Sequence, residues 1–296
     1  MKLRTGNCAA TYKALESERN AQVEKGDTCA SFTLPYLVRD DGFGQRDNSI
    51  QRNPWNGVGQ KGCQTIVAKL LLSLLPPTEQ IFRLTIDEIK MATQQQQMLQ
   101  AGAPPEELAK QKTEFDLALA RLERVVLNDV ETSNDRLAIQ EALTHLVVYG
   151  NALIYIEKDG LKCFPMRKYV LKRDAIGNPL ECVICEKIGY QALPEAVKQM
   201  LVDEDGEVKG LIPGEDSPDY QKNIEVYTHV YWETNKVHWY QEVKGVEVEG
   251  QRGSAPLDES PFLPLRMYRI DGESYSPSYI EAVCLADLRT AEALSQ

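Results

Sequence analysis

The spacing of apolar and polar residues changes character near residue 150. Before it the period is helical. Apolar positions recur at roughly helical spacing over residues 7–34, which predicts a helix ending near Pro35. Residues 39–56, rich in Gly, Asp and Asn, read as a loop. Gly57 to Leu75 forms a second expected helix, with Val67, Leu70, Leu71, Leu74 and Leu75 on one apolar face and Pro76-Pro77 as its stop. The Gln-rich stretch 94–105 is a surface loop or frayed helix end. Pro105, followed by Glu106 and Glu107, suits the first turn of a third helix, in which Leu108, Phe115, Leu119, Leu122 and Val126 form an amphipathic stripe. A fourth helix is expected from about Asp135 to Tyr149.

After Gly150 the runs are short and strand-like: Ala152–Glu157, Cys163–Arg173 and Leu180–Lys187, separated by Gly- and Asp-containing turns. A short helix over 193–201 and an acidic exposed loop over 203–219 follow. Residues 224–232 and 237–243 read as a hairpin, with Val226, Thr228, Val230 and Trp232 on one face of its first arm. A strand from Phe262 to Ile270 then leads to a polar corner at Asp271-Gly272-Glu273. In the last segment Ser276 is placed to cap a helix and Pro277 to occupy its first position, with Ile280, Cys284, Leu288 and Ala291 on one face. That helix runs about 30 Å at ~1.5 Å per residue. It ends without a breaker, as at a natural C-terminus or in a truncated chain. The fold class is therefore α+β, with a helical N-terminal half, an antiparallel strand-rich middle and a C-terminal helix.

Composition narrows the function. The 296 residues are 43% hydrophobic and 26% charged, ordinary values for a folded soluble protein with one large domain or two smaller ones. No run reaches the ~18 apolar residues of a membrane span, and the N-terminus lacks the apolar core of a signal peptide, so no membrane partner is expected. The seven cysteines are scattered and show no disulfide framework. The net charge is −11, from 44 acidic and 33 basic residues. DNA carries one charge per about 1.7 Å of axis, so a protein that grips it needs clustered Lys and Arg, and the sequence shows no such run. An acidic surface past which DNA slides is compatible with this balance, as is acidity that serves solubility alone.

The motifs that might carry catalysis are incomplete. His145 lies in an expected helix, while His229 and His238 lie on opposite hairpin arms with no third ligand placed beside them. Cys182-Val183-Ile184-Cys185 has knuckle spacing but sits in a strand pattern, where positions three apart face opposite ways. Gly57-Val58-Gly59-Gln60-Lys61-Gly62 opens a helix yet lacks the spacing and the Lys-Ser/Thr of a phosphate loop, so close helix packing is the simpler reading of its glycines. No Gly-x-Ser-x-Gly elbow or distinct carboxylate couple is present. By elimination, binding and assembly outrank catalysis, and no cofactor or metal is expected.

Several segments closely resemble portal, or head-to-tail connector, proteins of short-tailed podophages of the Autographiviridae type. They are Pro54–Gly59 with the helix through Pro76, Leu146–Leu153, Tyr169–Asn178, Val226–Tyr231 and, most clearly, Pro264–Tyr275 running on through Ser278–Glu281 and Asp287–Arg289. They occur in the family's order and span nearly the whole chain. The resemblance implies a non-enzymatic subunit of a ring, usually of twelve copies, at one capsid vertex of the virion, assembled in the host cytoplasm. It implies scaffolding protein, major capsid protein, terminase and tail adaptor as partners, with double-stranded DNA passing through the channel without sequence-specific binding.

By the same resemblance, residues 1–150 are the mainly helical part of the wing, 151–270 its strand-rich part and 271–296 the start of the stem helix. Clip, second stem helix and crown are not represented. Asp287, Arg289 and Glu292 become the stem positions that face the channel or a neighbouring stem, or else ordinary solvated charges. Arg269, Asp271, Gly272 and Glu273 hold the wing-to-stem junction, or form a local turn. The alternatives are a portal-derived piece that forms no ring by itself and, from the Gly57–Gly62 segment, a nucleotide-binding packaging component.

Overall fold

The stripe Tyr12, Arg19, Val23, Gly26 and Ala30 is buried along one helix, α1 (Cys8–Phe32), in the computed structural model, which describes residues 7–38, 57–76, 81–85, 105–158, 160–189, 193, 198 and 223–295. α1 ends where Thr33 turns its hydroxyl back to the Cys29 carbonyl at 2.8 Å and Pro35 opens a 3-10 turn. In α2 (Val58–Leu74) the buried line is Gly59, Cys63, Val67 and Leu71, continued by Leu75. Leu74, expected on this face, shares its angle but lies in the last turn of the helix and is 55% exposed. α3 (Pro105–Thr132) departs further from expectation. Phe115, Leu122 and Val126 of its stripe are exposed, and among its described side chains the buried one is Glu123, which accepts the Leu84 N–H at 2.6 Å. α4 (Asp135–Tyr149) is buried on two sides, with Leu143, Val147 and Val148 in the main core and Ala142 packed on Ala152 and Ile154.

The strands form two antiparallel sheets. The smaller has the order β2–β1–β9, from β1 (Asn151–Glu157), β2 (Gly160–Pro165) and β9 (Phe262–Arg266). The larger runs β3–β4–β5–β6–β7, from β3 (Tyr169–Arg173), β4 (Pro179–Gly189), β5 (Asn223–Trp232), β6 (Lys236–Val243) and β7 (Val246–Glu247), with β8 (Gly253–Pro256) also on β6. The single strand expected over 163–173 is thus two strands in different sheets. A 3-10 turn at Met166–Lys168, with Met166 buried, moves the chain from one sheet to the other. The strand expected to reach Ile270 ends at Arg266, where its pairing with Asn151 stops.

One core joins α1, α2 and α4 to both sheets. It includes Val23, Cys63, Val67, Val147, Leu153, Leu171, Ile184, Val230 and Phe262. Full burial of side chains of this size stabilises by roughly 1.5–3 kcal/mol each. The opposite face of the larger sheet, carrying Val170, Val183, Cys185, Tyr227 and Tyr240, is covered by Cys8 and Tyr12 of α1. The expectations for 39–56, for 94–104 and for the loop over 203–219 lie outside the described residues, as does the helix over 193–201 apart from Leu193 and Lys198. Among the described residues no helix is long and apolar enough to cross a membrane.

Candidate functional site

The corner singled out by sequence is built on the last residue of α4. Gly150 ends that helix in the left-handed conformation (φ 79°) and returns its N–H to the His145 and Leu146 carbonyls. A Cβ there would run into the carbonyls of Ser276 and Pro277, so the backbone of the C-terminal segment lies directly against it. The Gly150 carbonyl accepts the Met267 N–H at 2.8 Å. Beside it the buried Asn151 side chain accepts the Ser276 N–H at 3.1 Å and donates to the Ser276 carbonyl at 2.8 Å. Ser276 in turn accepts the Tyr268 N–H on its hydroxyl at 2.8 Å. It is therefore a junction anchor and not the expected helix cap.

That cap is Ser278. Its hydroxyl accepts the Glu281 N–H at 2.9 Å, and the Glu281 carboxylate reaches back to the Ser278 N–H at 3.4 Å. Glu281 also accepts from Gln22 at 3.2 Å and lies 3.8 Å from Lys25, which ties the start of the last helix to α1. The helix opens with a π turn, Ile280–Cys284, in which the Leu285 N–H reaches the Ile280 carbonyl, and continues as α5 (Leu285–Ser295). Ile280 is buried, and Cys284, Leu285 and Leu288 pack on the main core. Asp287 and Arg289 are exposed and Glu292 is half-buried.

At the corner itself Arg269, Asp271, Gly272 and Glu273 are exposed, and Gly272 turns the chain at φ 76°. Arg269 donates to the Ile176 carbonyl in the β3–β4 turn. Arg266 reaches the Gly177 and Glu273 carbonyls at 3.5 and 3.4 Å. Arg173, absent from the sequence-predicted set, binds three carbonyls: Gly177 at 2.9 Å, Pro264 at 2.9 Å and Ser274 at 3.2 Å. Burial, reinforced by the neighbouring charge of Arg266, pulls its pKa below the usual guanidinium value. Tyr275 completes the junction by accepting the Leu171 N–H on its hydroxyl at 2.9 Å. A second anchor lies on the other side of α4, where Asp27 of α1 pairs with Arg167 and accepts the Tyr149 hydroxyl at 2.9 Å.

The remaining motifs resolve into packing. Cys182 belongs to the main core and Cys185 to the cluster on the opposite face. Burial pushes the Cys185 thiol up to about 11. A Cβ at Gly59 would meet the Phe32 carbonyl and Leu288, so this glycine permits close packing, whereas Gly57 and Gly62 face open space. His229 is held between Glu181 at 2.8 Å and the Tyr240 hydroxyl at 2.9 Å. His238 instead stacks on Tyr231 at 5.1 Å. No group of metal-binding side chains occurs among the described residues.

The chain matches the family described as "Bacteriophage head to tail connecting protein" over residues 5–296. It is 35% identical over 295 residues to the portal protein of Escherichia phage T7, covering 97% of this chain and 50% of that protein. To the portal protein of Enterobacteria phage T3 it is 34% identical over 294 residues, with the same coverage. To that of Enterobacteria phage SP6 it is 26% identical over 271 residues, covering 89% of this chain and 47% of that protein. The chain spans about half the length of these relatives.

Proposed function

The chain belongs to the family of bacteriophage head to tail connecting proteins, and from that premise we propose that it is a portal subunit. It assembles with copies of itself into a ring at one capsid vertex, provides the passage for DNA in packaging and ejection, and offers a docking surface to terminase and tail. It catalyses no reaction. The observation that carries this reading is the family match over residues 5–296. The net charge of −11 supports it, since an acidic wall does not retain DNA.

In this reading residues 1–150 are the helical part of the wing, 151–270 its strand-rich part and 271–296 the first turns of the stem. The cluster of Gly150, Asn151, Arg173 and Ser276 fixes the angle at which the stem leaves the wing, with Arg269, Asp271, Gly272 and Glu273 at its surface. Asp287, Arg289 and Glu292 face the channel or a neighbouring stem. Scaffolding and major capsid proteins and the tail adaptor dock on the assembled ring.

The mass of the purified chain at low micromolar concentration, by light scattering or native mass spectrometry, tests the proposal. A closed species near twelve subunits is expected. A monomer overturns the claim that this chain builds a ring unaided. It favours the second reading, a portal-derived piece that needs more chain to close, for which the half-length coverage of the relatives speaks.

A further inference from the structure

The corner gathers charge that the sequence disperses. Arg173 borders the β3–β4 turn while Arg266 and Arg269 lie about ninety residues further along the chain, yet all three guanidinium groups converge on two consecutive carbonyls of that turn, Ile176 and Gly177. Among the described residues every hydrogen bond these guanidiniums make is to a main-chain carbonyl and none has a carboxylate partner. Asp174, the nearest acid in the turn, is engaged by the Asn178 N–H at 2.6 Å and the Asn178 side-chain amide at 2.9 Å. Arg173 and Arg266 are half-buried and Arg269 is exposed; Arg173 spends its donors on three carbonyls, so Arg266 and Arg269 are the two that present N–H groups to solvent. Like charges crowded in this way repel, and the pKa of Arg173, lowered first by burial, is lowered further by the charge of Arg266. A chain of net charge −11 has few reasons to assemble on one turn three guanidiniums that, among the described residues, face no carboxylate.

We infer that the Arg173–Arg266–Arg269 cluster is an oxyanion site that takes a phosphate group. A planar carboxylate satisfies one guanidinium fork, whereas a tetrahedral phosphate offers oxygens to forks arriving from several directions and carries more charge to offset their repulsion. Arg266 and Arg269 supply the donors, and Arg173 sets the local potential from behind. Asp271 and Glu273, both exposed beside the cluster, weaken its pull on a long polyanion, so the site takes one phosphate and does not follow a backbone. The phosphate is that of a free ion or of a nucleic-acid phosphodiester.

Two probes and two variants test the site. The whole chain in phosphate-free buffer is titrated with inorganic phosphate by calorimetry. Separately, a fluorescein-labelled DNA duplex of about one helical turn is titrated by anisotropy at two salt concentrations. Arg266→Gln/Arg269→Gln is expected to weaken binding by about tenfold or more, with unchanged circular dichroism. Arg269→Gln alone, at an exposed side chain, is expected to weaken it less and serves if the double variant does not fold. Binding of phosphate alone identifies a free-ion site. Binding of both, with a salt slope reduced by about 1 in the double variant, identifies a phosphodiester. The inference is overturned if neither probe binds, or if the variants bind as well as the parent. It is also overturned if the substitutions change only the oligomeric mass, which would assign the cluster to carboxylates of a second copy. Probe binding and mass are separate readouts, so failure here leaves the portal reading standing.

Discussion

The side-chain amide of Asn151 grips the peptide of Ser276 from both sides, accepting its N–H at 3.1 Å and donating to its carbonyl at 2.8 Å across a separation of 125 residues. Both residues are buried, at 2% and 0% exposure, so neither group has water as a substitute. Asn151→Ala removes two hydrogen bonds and strands two peptide groups. Urea denaturation is expected to show a loss of about 2–4 kcal/mol. A loss below about 1 kcal/mol would mean that the junction holds without this amide.

Gly150 and Gly245 separate backbone strain from steric contact. Both have φ near +80°, but a Cβ at Gly150 meets the Ser276 and Pro277 backbone while one at Gly245 meets open space. Gly245→Ala is expected to cost about 1 kcal/mol, from the left-handed conformation alone. Gly150→Ala adds a clash with backbone that cannot swing aside, so its cost rises to about 3 kcal/mol or more. Equal melting shifts for the two variants would contradict the close approach at the junction.

Two ion pairs of different burial make opposite predictions. Asp27 and Arg167 are 27% and 17% exposed and share the Tyr149 hydroxyl with the core. Burial alone would lower the Arg167 pKa, but the hydrogen bond and charge of Asp27 outweigh it and raise it. Asp27→Ala leaves that guanidinium half-buried without its partner, at a cost of about 2–4 kcal/mol, less than for a dry pair because both ends still touch water. Lys162 and Glu186, 2.7 Å apart but with Lys162 45% exposed, contribute little. Glu186→Gln is expected to change stability by less than about 1 kcal/mol in the same assay.

Burial raises several thiols, Cys8 to about 12 and both Cys29 and Cys63 to about 11, from an ordinary value of 9.0. Between pH 9 and these values the native chain keeps protons that the unfolded chain has released, so stability falls as pH rises through that window and is fully present below it. The urea midpoint is expected to hold to about pH 9 and then drop. Cys8→Ala and Cys63→Ala should make the decline shallower. At pH 8 the buried thiols should react with a disulfide reagent only as fast as the chain unfolds, whereas half-exposed Cys284 reacts sooner. A midpoint constant to pH 11 would contradict the burial of these groups.

Helices and hairpin were legible because their signals are local. The α4 stop at Gly150 and the turn between β5 and β6 each need only neighbouring residues, and periodicity does the rest. The break at Met166 is not legible, since nothing in the period of Cys163–Arg173 tells one strand from two in different sheets. The apolar stripe on α3 is plain in the sequence, but a pattern does not say whether a partner covers it, and Phe115 and Leu122 are exposed. Ser276 and Ser278 were indistinguishable as caps until the Tyr268 N–H was seen to occupy the first. Corner residues Arg269 to Glu273 could be named from the sequence, whereas Arg173 and Asn151, which hold that corner from about a hundred residues away, could not.

The pairing of β9 with β1 also sets a timetable. Asn151 lies opposite Arg266, so everything between them must be synthesised before the smaller sheet gains its third strand. Closing a loop of that length costs about 4 kcal/mol of chain entropy before any contact offsets it. Non-local closures of this kind are slow steps in folding. Emerging from the ribosome, α1, α2 and α4 therefore wait beside an incomplete sheet, and α5 finds its place after them. The direction of α5 is therefore fixed only once α1 and the Asn151 corner, which hold its start, are themselves in place.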